Sequence, residues 1–169
     1  MSTQANAHDA DTAQLALAVS GCAKLLSIRM IDFSARWPVA HDSDDLPHEV
    51  HLDTDAKASI LDNGELRVTV GMKLSIIVSQ DEVTDSPVTA QGDFELIYAL
   101  ESPSQLKQTH YDAFARTNAI FNVWPYWREF VQSATVRLGL PALTLPLFRL
   151  QPVLAKTKQK RPNRKSTKK

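Results

Sequence analysis

Alternating apolar and polar residues dominate the middle of this chain of 169 residues and predict four β-strands. The predicted strands cover residues 24–36, 50–60, 66–78 and 88–100. Successive side chains of a strand point to opposite faces of its sheet, so an alternating run gives a strand one apolar face and one polar face. The pattern therefore predicts a sheet that is covered on one face and exposed to water on the other.

Turn signals separate these runs and indicate how the strands connect. Asp62-Asn63-Gly64 lies between the second and third runs, and such a sequence favours a tight β-hairpin. Trp37-Pro38 ends the first run, and residues 80–87 are rich in turn-forming residues. We therefore predict a four-stranded antiparallel meander, in which each strand pairs with the next one along the chain.

The hydrophobic spacing changes beyond the fourth run to three and four residues, which predicts one long helix or two consecutive helices. Ser102 is the predicted N-cap, and Pro103 is the predicted first helical residue. Pro125 lies inside the helical pattern, so we expect a break or a kink near residues 117–125. Four strands followed by a helix are typical of an α+β fold.

The helical pattern ends before an apolar segment that contains two prolines. Gly139 and Pro141 predict the end of the helix, because glycine is favoured just after the last helical residue and proline cannot continue a helix. Residues 140–148 are apolar and contain two prolines, so they cannot form a regular helix. We predict that they are extended and lie on an apolar surface.

Residues 15–22 have the apolar character of a short helix or of a lipoprotein signal that ends at Cys22. A signal needs a positively charged region before its apolar stretch, but the first 14 residues contain no Lys or Arg. We therefore predict a short helix, capped by Asp11 or Thr12 and ended by Gly21. No apolar run approaches the ~20 residues of a membrane span, and one cysteine forms no intramolecular disulfide, so we expect a cytoplasmic protein.

The strongest candidate for metal chemistry is the segment 41–51, which holds three histidines and four carboxylates. Its spacing matches neither the His-Glu-x-x-His helix of a zinc protease nor a calcium-binding EF-hand loop. His48 and His51 would fall on opposite faces of a strand. The chain has five glycines and no Gly-rich phosphate loop. We therefore expect no catalytic residue, no metal and no cofactor, and we interpret the protein as a non-enzyme.

The net charge of zero conceals two oppositely charged parts. Eight basic residues and no acidic residue lie between 156 and 169: Lys156, Lys158, Lys160, Arg161, Arg164, Lys165, Lys168 and Lys169. The whole chain has 19 basic and 19 acidic residues. Residues 1–155 therefore hold 11 basic and 19 acidic residues, which gives them a net charge of −8. We predict an N-terminal extension over 1–23, a folded domain over 24–150 and a disordered basic tail over 151–169.

Two motifs resemble the SecB family of protein-export chaperones. Trp124-Pro125-Tyr126-Trp127-Arg128-Glu129 is similar to an aromatic-Pro-Tyr-x-Arg-Glu motif in the long helix of that family. Gly139-Leu140-Pro141-Ala142-Leu143-Thr144-Leu145-Pro146 is similar to its Gly-apolar-Pro segment, which continues into Leu-x-Leu and a further proline. Ile31-Asp32-Phe33 resembles an Ile-Ser-Phe stretch in the family's first strand. The resemblance runs from about residue 25 to residue 148, which makes 24–150 a SecB-like chaperone domain.

The resemblance implies an ATP-independent holdase, with a four-stranded antiparallel sheet covered on one face by a long helix and assembled as a dimer of dimers. Unfolded clients would bind in apolar grooves between the sheet and the helix. The implied groove residues are Phe33, Trp37, Phe94, Tyr98, Trp124 and Leu143, and the residues implied to position the helix are Pro125, Tyr126, Arg128 and Glu129. For Trp124, Tyr126 and Trp127 the alternative is packing in the core or in a subunit interface.

Departures from the family pattern leave the partners open. Acidic positions that dock the SecA motor in the family fall on Met30, Ser34 and a position near Val88 here, which argues against SecA docking of the usual type. SecB-like relatives also serve as dedicated chaperones of an antitoxin in toxin–antitoxin systems, and this function stays open beside general export. Three interpretations of the basic tail stay open. It is a solvated extension without a function, it contacts an acidic client or partner, or it contacts nucleic acid. Its candidate contact residues are Lys156, Lys158, Lys160, Arg161, Arg164 and Lys165.

Overall fold

A computed structural model describes residues 3–36, 49–77, 88–101 and 105–148. The secondary structure consists of three α-helices, four strands and one π-helical turn among these residues. In chain order they are α1 (Thr3–Ser20), β1 (Ala23–Arg36), β2 (Glu49–Ile60), β3 (Leu66–Ile77), β4 (Val88–Leu100), α2 (Gln108–Phe114), the π turn (Ala115–Ala119) and α3 (Ile120–Arg137). The four predicted strands are confirmed to within a residue or two at each end, and the fold is α+β.

The four strands form one antiparallel sheet in the order β1-β4-β3-β2. The predicted meander is therefore correct for β2, β3 and β4 and wrong for β1, which pairs with β4 at the far edge. A short turn forces two consecutive strands to pair, whereas the connection of residues 37–48 is long enough to carry the chain to the other edge. As a result, β1 and β2 are the two edge strands of the sheet.

The hairpin between β2 and β3 confirms the turn predicted at Asp62-Asn63-Gly64. Gly64 has φ = 82°, a left-handed conformation that glycine adopts without a steric penalty. Its N–H donates to Leu61 O at 2.9 Å, and the N–H of Leu61 donates to Glu65 O at 2.8 Å. This three-residue loop sets the register of the two strands, which pair from Ile60 and Leu66 onward.

Helix α1 begins at Thr3, well before the predicted caps at Asp11 and Thr12. The N-terminal residues are rich in alanine, the strongest helix former, and this propensity extends the helix where no apolar stripe marks it. The helix ends before Gly21, as predicted. Ala16 and Val19 are buried in the core, so the second half of α1 is part of the packed structure.

Helix α2, the π turn and α3 form one helical run from Gln108 to Arg137. The predicted N-cap Ser102 lies outside the described residues, and the run follows Lys107, whose N–H donates to His110 Nδ1 at 3.1 Å. The predicted irregularity near 117–125 lies at the π turn, and α3 continues through Pro125. The proline has no N–H to donate, but α3 is held on both sides of it by buried Val123 and Trp127.

The end of α3 and the extended segment after it are confirmed. Gly139 has φ = 79°, its N–H donates to Val136 O at 3.1 Å, and the N–H of Leu140 donates to Thr135 O at 3.0 Å. These two bonds form a Schellman motif, the usual glycine-terminated helix end. Residues 141–148 then run without regular secondary structure, and Leu145 is buried.

Candidate functional site

The helix layer covers the two middle strands of the sheet and leaves the edge strands partly open. The side chains of β3 and β4 that face the helices are buried from Leu66 to Leu74 and from Phe94 to Tyr98. On the edge strands, large apolar side chains remain exposed, and they form two surfaces. The β1 strip consists of Leu25, Leu26, Ile31 and Phe33, and the β2 strip consists of Val50, Leu52 and Ile60. Large exposed apolar surfaces are typical of interaction sites, so these two strips are the candidate site.

Phe33 is the most exposed member of the β1 strip, with 64% of its surface accessible. Its ring packs edge-to-face against Phe130 of α3, with ring centroids 5.7 Å apart. Phe130 in turn lies 5.5 Å from the ring of Trp127, which is fully buried. The three rings connect the core to the surface at β1, and aromatic side chains contribute large apolar contact areas in binding sites.

Trp127 lies against the sheet because Gly92 leaves room for its ring. A Cβ atom at Gly92 would lie only 3.2 Å from Cζ3 of Trp127. Gly92 pairs with Phe33 on β1, so the glycine, the indole and the exposed phenyl ring belong to one packed unit. The Nε1–H of Trp127 is buried and has no hydrogen-bond acceptor among the described residues.

The opposite flank of α3 holds the extended segment 141–148. The Nε1–H of Trp124 donates to Pro146 O at 2.9 Å, and the Nε–H of Arg128 donates to Leu145 O at 2.7 Å. The ring of Phe148 lies 5.2 Å from that of Trp124, with Trp124 only 6% exposed. Thus Trp124 and Arg128 of the first sequence motif bind the backbone of the second motif.

The structure places the sequence-predicted groove residues in three environments. Phe33 is exposed. Leu143 is half-buried, and the N–H of Leu143 donates to Thr135 Oγ1 at 3.1 Å. Phe94, Tyr98 and Trp124 are core residues, 1%, 2% and 6% exposed, so they offer little surface to a client in this structure. An alternating pattern gives the face of a strand, but it does not show that the helix layer covers that face. Trp37 lies outside the described residues.

Tyr98 is held in the core by its neighbours on the helices. Its hydroxyl accepts a hydrogen bond from Asn122 Nδ2 at 3.0 Å, and its ring packs edge-to-face on Phe114. Burial raises the pKa of Tyr98 to about 12, although the hydrogen bond from Asn122 acts in the other direction. This side chain is therefore a structural contact between β4 and the helix layer.

The residues predicted to position the helix also differ in their surroundings. Arg128 holds the extended segment, whereas Pro125, Tyr126 and Glu129 are exposed. The basic residues Lys156, Lys158, Lys160, Arg161, Arg164 and Lys165 lie outside the described residues. So does most of the histidine-rich segment 41–51. Within the described ranges, no group of three His, Cys, Asp or Glu side chains is arranged to hold a metal ion.

Most of the β1 strip was not predicted from the sequence, although a signal was present. Two register shifts interrupt the pairing of β1 with β4, and the additional residues there are Leu26 and Ile31. Each follows another apolar residue, in the doublets Leu25-Leu26 and Met30-Ile31, where the alternation slips by one position. A β-bulge leaves such a residue unpaired and redirects its side chain. The doublets therefore mark Leu25, Leu26 and Ile31 of the β1 strip, whereas Phe33 lies in no doublet.

Comparisons with known proteins identify the fold. No protein-family model matches the chain, and no curated protein matches its sequence. A solved structure of the SecB-like chaperone Rv1957 from Mycobacterium tuberculosis, in complex with a ChAD peptide from the HigA1 antitoxin, has a TM-score of 0.65 to this chain. It shares 23% sequence identity over 85% of this chain and 99% of that chain. The fold is therefore SecB-like, as the two motifs predict.

A second solved structure, a protein of unknown function from Streptococcus agalactiae, has a TM-score of 0.35 over 73% of this chain, at 12% identity. That likeness is too low to inform the fold. As for membranes, none of the helices that the structure describes is long and apolar enough to cross a bilayer.

Proposed function

We propose that this protein is a holdase chaperone that binds unfolded protein segments on its apolar edge strips without using a nucleotide. The SecB-like fold supports the chaperone class. The observation that carries the proposal is the exposure of Phe33, which stands on an edge strand with its ring supported by Phe130. A residue of this kind gives an unfolded chain an apolar contact on a rigid, preorganised surface.

The chemistry of the two strips suits a weak and unselective binder. The strips consist of exposed aliphatic and aromatic side chains, which can contact many different apolar side chains. Partial burial of one such side chain contributes about 1 kcal/mol. A useful affinity therefore requires several contacts along one client chain. The net charge of −8 over residues 1–155 opposes nonspecific aggregation through a surface that exposes apolar area.

The assembly belongs to the same proposal. We infer a homo-oligomer built as a dimer of dimers, as the resemblance to SecB implies. Edge strands with exposed apolar side chains are stabilised when another copy covers part of them. In this assembly the copies cover part of the strips, and the remaining part binds the client. Sedimentation velocity at several protein concentrations measures the assembly, and a monomer at every concentration contradicts it.

The direct test is suppression of aggregation. A chemically denatured model protein is diluted into buffer, and light scattering is followed with increasing amounts of this protein and no nucleotide. We expect scattering to fall and to approach zero near an equimolar ratio of protomer to client. Unchanged scattering at that ratio, from folded protein, rules out the holdase function. A run with ATP should give the same curve, because the proposal assigns no role to a nucleotide.

A second candidate function is a dedicated chaperone for one antitoxin. It is favoured because the solved SecB-like chaperone holds a peptide from the HigA1 antitoxin. Neighbouring genes that encode a toxin and an antitoxin would support it. The functions are separated by measuring the affinity of the purified protein for that antitoxin and for an unrelated unfolded protein. A preference of a hundredfold or more favours the dedicated chaperone, and similar affinities favour the general holdase.

A further inference from the structure

A polar side chain of the helix layer reaches the edge of the sheet at β2. The carboxamide of Gln108, the first residue of α2, donates from Nε2 to Ala58 O of β2 at 3.0 Å and to Asp112 Oδ1 at 2.8 Å. A primary amide nitrogen carries two hydrogens, so these two bonds use both of them. The amide group is therefore held by one acceptor on the sheet and by one acceptor on its own helix.

The carbonyl of Ala58 points away from the sheet. The N–H of Leu61 donates to Glu65 O, and along an antiparallel pair the residues bonded to the neighbouring strand alternate with residues whose groups face outward. Ala58 therefore turns its N–H and C=O away from Val68, its partner on β3. Among the described residues, β2 has a strand on one side only. The amide of Gln108 thus occupies the position in which the backbone N–H of an added strand would bind.

This hydrogen bond interrupts the β2 strip. Leu52 and Ile60 are 38% and 44% exposed, and they share the helix side of β2 with Ala58, because all three pair with buried residues of β3. An extended segment that follows the strip from Val50 to Ile60 passes directly beside Ala58. Gln108 therefore separates Ile60 from the rest of the strip.

The start of α2 is fixed, so the amide of Gln108 is preorganised for this contact. The N–H of Lys107 donates to His110 Nδ1 at 3.1 Å, and the buried side chains of Tyr111 and Phe114 anchor the helix. A side chain that extends from an ordered backbone loses less entropy when it binds. Both bonds of the amide are nevertheless exposed to solvent, where a neutral hydrogen bond contributes little net stability. The contact is therefore ordered but easily displaced.

We propose that Gln108 is an autoinhibitory latch on the β2 edge. While its amide holds the outward carbonyl of Ala58, an extended segment has access only to the stretch from Val50 to Ala56. A segment that displaces the amide gains the edge as far as Ile60, and the β2 strip becomes continuous. The effect on clients rests on the holdase function proposed above, whereas the contact between α2 and β2 does not.

Three variants test the latch. Gln108→Ala removes the donor to Ala58 O. Gln108→Lys keeps a donor, because the ammonium of an extended lysine can reach both Ala58 O and Asp112 Oδ1. Gln105→Ala is the matched control, since this glutamine is exposed and lies just before α2. Both glutamines are exposed, so all three variants should fold, which circular dichroism checks.

The latch itself is measured by nuclear magnetic resonance without a client. In the natural chain, the side-chain amide hydrogens of Gln108 should exchange with solvent more slowly than those of Gln105, because they are hydrogen-bonded. The carbonyl carbon resonance of Ala58 should shift in Gln108→Ala and stay unchanged in Gln105→Ala. Equal exchange of the two glutamine side chains, or an Ala58 resonance that does not move, overturns the latch.

The autoinhibitory role is measured by fluorescence anisotropy with a labelled client, α-lactalbumin kept unfolded by reduction and carboxymethylation. We expect Gln108→Ala to bind it about fivefold more tightly than the natural chain, the change expected when one competing hydrogen bond is lost. Gln108→Lys and Gln105→Ala should match the natural chain. Equal affinities of Gln108→Ala and Gln105→Ala overturn the autoinhibitory role. If no variant binds the client, the holdase function fails together with that role, and the measurements without a client still decide whether the latch exists.

Discussion

A substitution at Gly92 tests whether Trp127 packs on the sheet and supports the rings of Phe130 and Phe33. Gly71, on the adjacent strand, provides a matched control. Gly92→Ala adds one methyl group 3.2 Å from Cζ3 of Trp127 and 3.4 Å from Cε2 of Phe94, on the covered face of the sheet. Both rings are buried and cannot move aside without disturbing the core. Gly71→Ala adds the same methyl group on the adjacent strand, where the nearest atom is Oδ1 of the exposed Asp93 side chain.

The expected energies follow from two opposing effects. Replacing glycine by alanine in a strand gains about 0.5–1 kcal/mol of conformational entropy at either position. Overpacking a closed site costs about 1–3 kcal/mol, and this cost applies to Gly92 only. We therefore expect Gly92→Ala to lower the free energy of unfolding by about 1–2 kcal/mol. Gly71→Ala should leave it unchanged or raise it by up to about 1 kcal/mol.

Urea unfolding at equal protomer concentration, followed by tryptophan fluorescence, measures both variants. Near-ultraviolet circular dichroism reports on the packing of Trp127 in the folded state. If Gly92→Ala is as stable as Gly71→Ala and has an unchanged spectrum, the indole does not rest on the sheet at this point. The claim that Trp127 supports the rings of Phe130 and Phe33 would then be wrong as well.

The remaining predictions concern the helix end, the extended segment and the buried tyrosine. Gly139→Ala forces a φ of 79° on a residue with a Cβ, so it should cost about 1–2 kcal/mol in urea unfolding. Arg128→Leu removes the donor to Leu145 O, and limited proteolysis should then cut within residues 141–148 sooner than in Arg128→Lys or the natural chain. The pKa of Tyr98 is raised from 10 to about 12, so the unfolded chain loses that proton first as pH rises. Stability should therefore fall by about 2–3 kcal/mol between pH 10 and pH 12, and Tyr98→Phe should remove most of this slope.

The local elements of the fold could be predicted because their signals are local. The strand bounds follow from alternation, the hairpin follows from Asn63-Gly64, and the helix end follows from Gly139. The neighbour of β1 could not be predicted in this way, since the strand order depends on where a long connection leads. The full length of α1 was also missed, because its first turns have propensity without an apolar stripe.

The candidate site was only partly predictable for a related reason. Phe33 was correctly placed on the first strand, but its exposure depends on how far the helix layer extends across the sheet. Phe94 and Tyr98 have the same apolar character and lie on a middle strand, where the layer covers them completely. Amino-acid composition does not distinguish an exposed apolar residue on an edge strand from a buried one on a middle strand. The difference arises because the helix layer is narrower than the sheet. Only the assembled fold shows which apolar residues remain at its edges.

The account depends most directly on the claim that the exposed apolar side of β1 binds unfolded protein. The measurement is light scattering of an aggregating client with two variants that place the same charge on adjacent residues, Phe33→Asp and Ser34→Asp. Both positions are exposed, so both variants should fold, which circular dichroism checks. We predict that Phe33→Asp needs several times more protein for half suppression, whereas Ser34→Asp matches the natural chain. Equal suppression by the two folded variants would contradict the account.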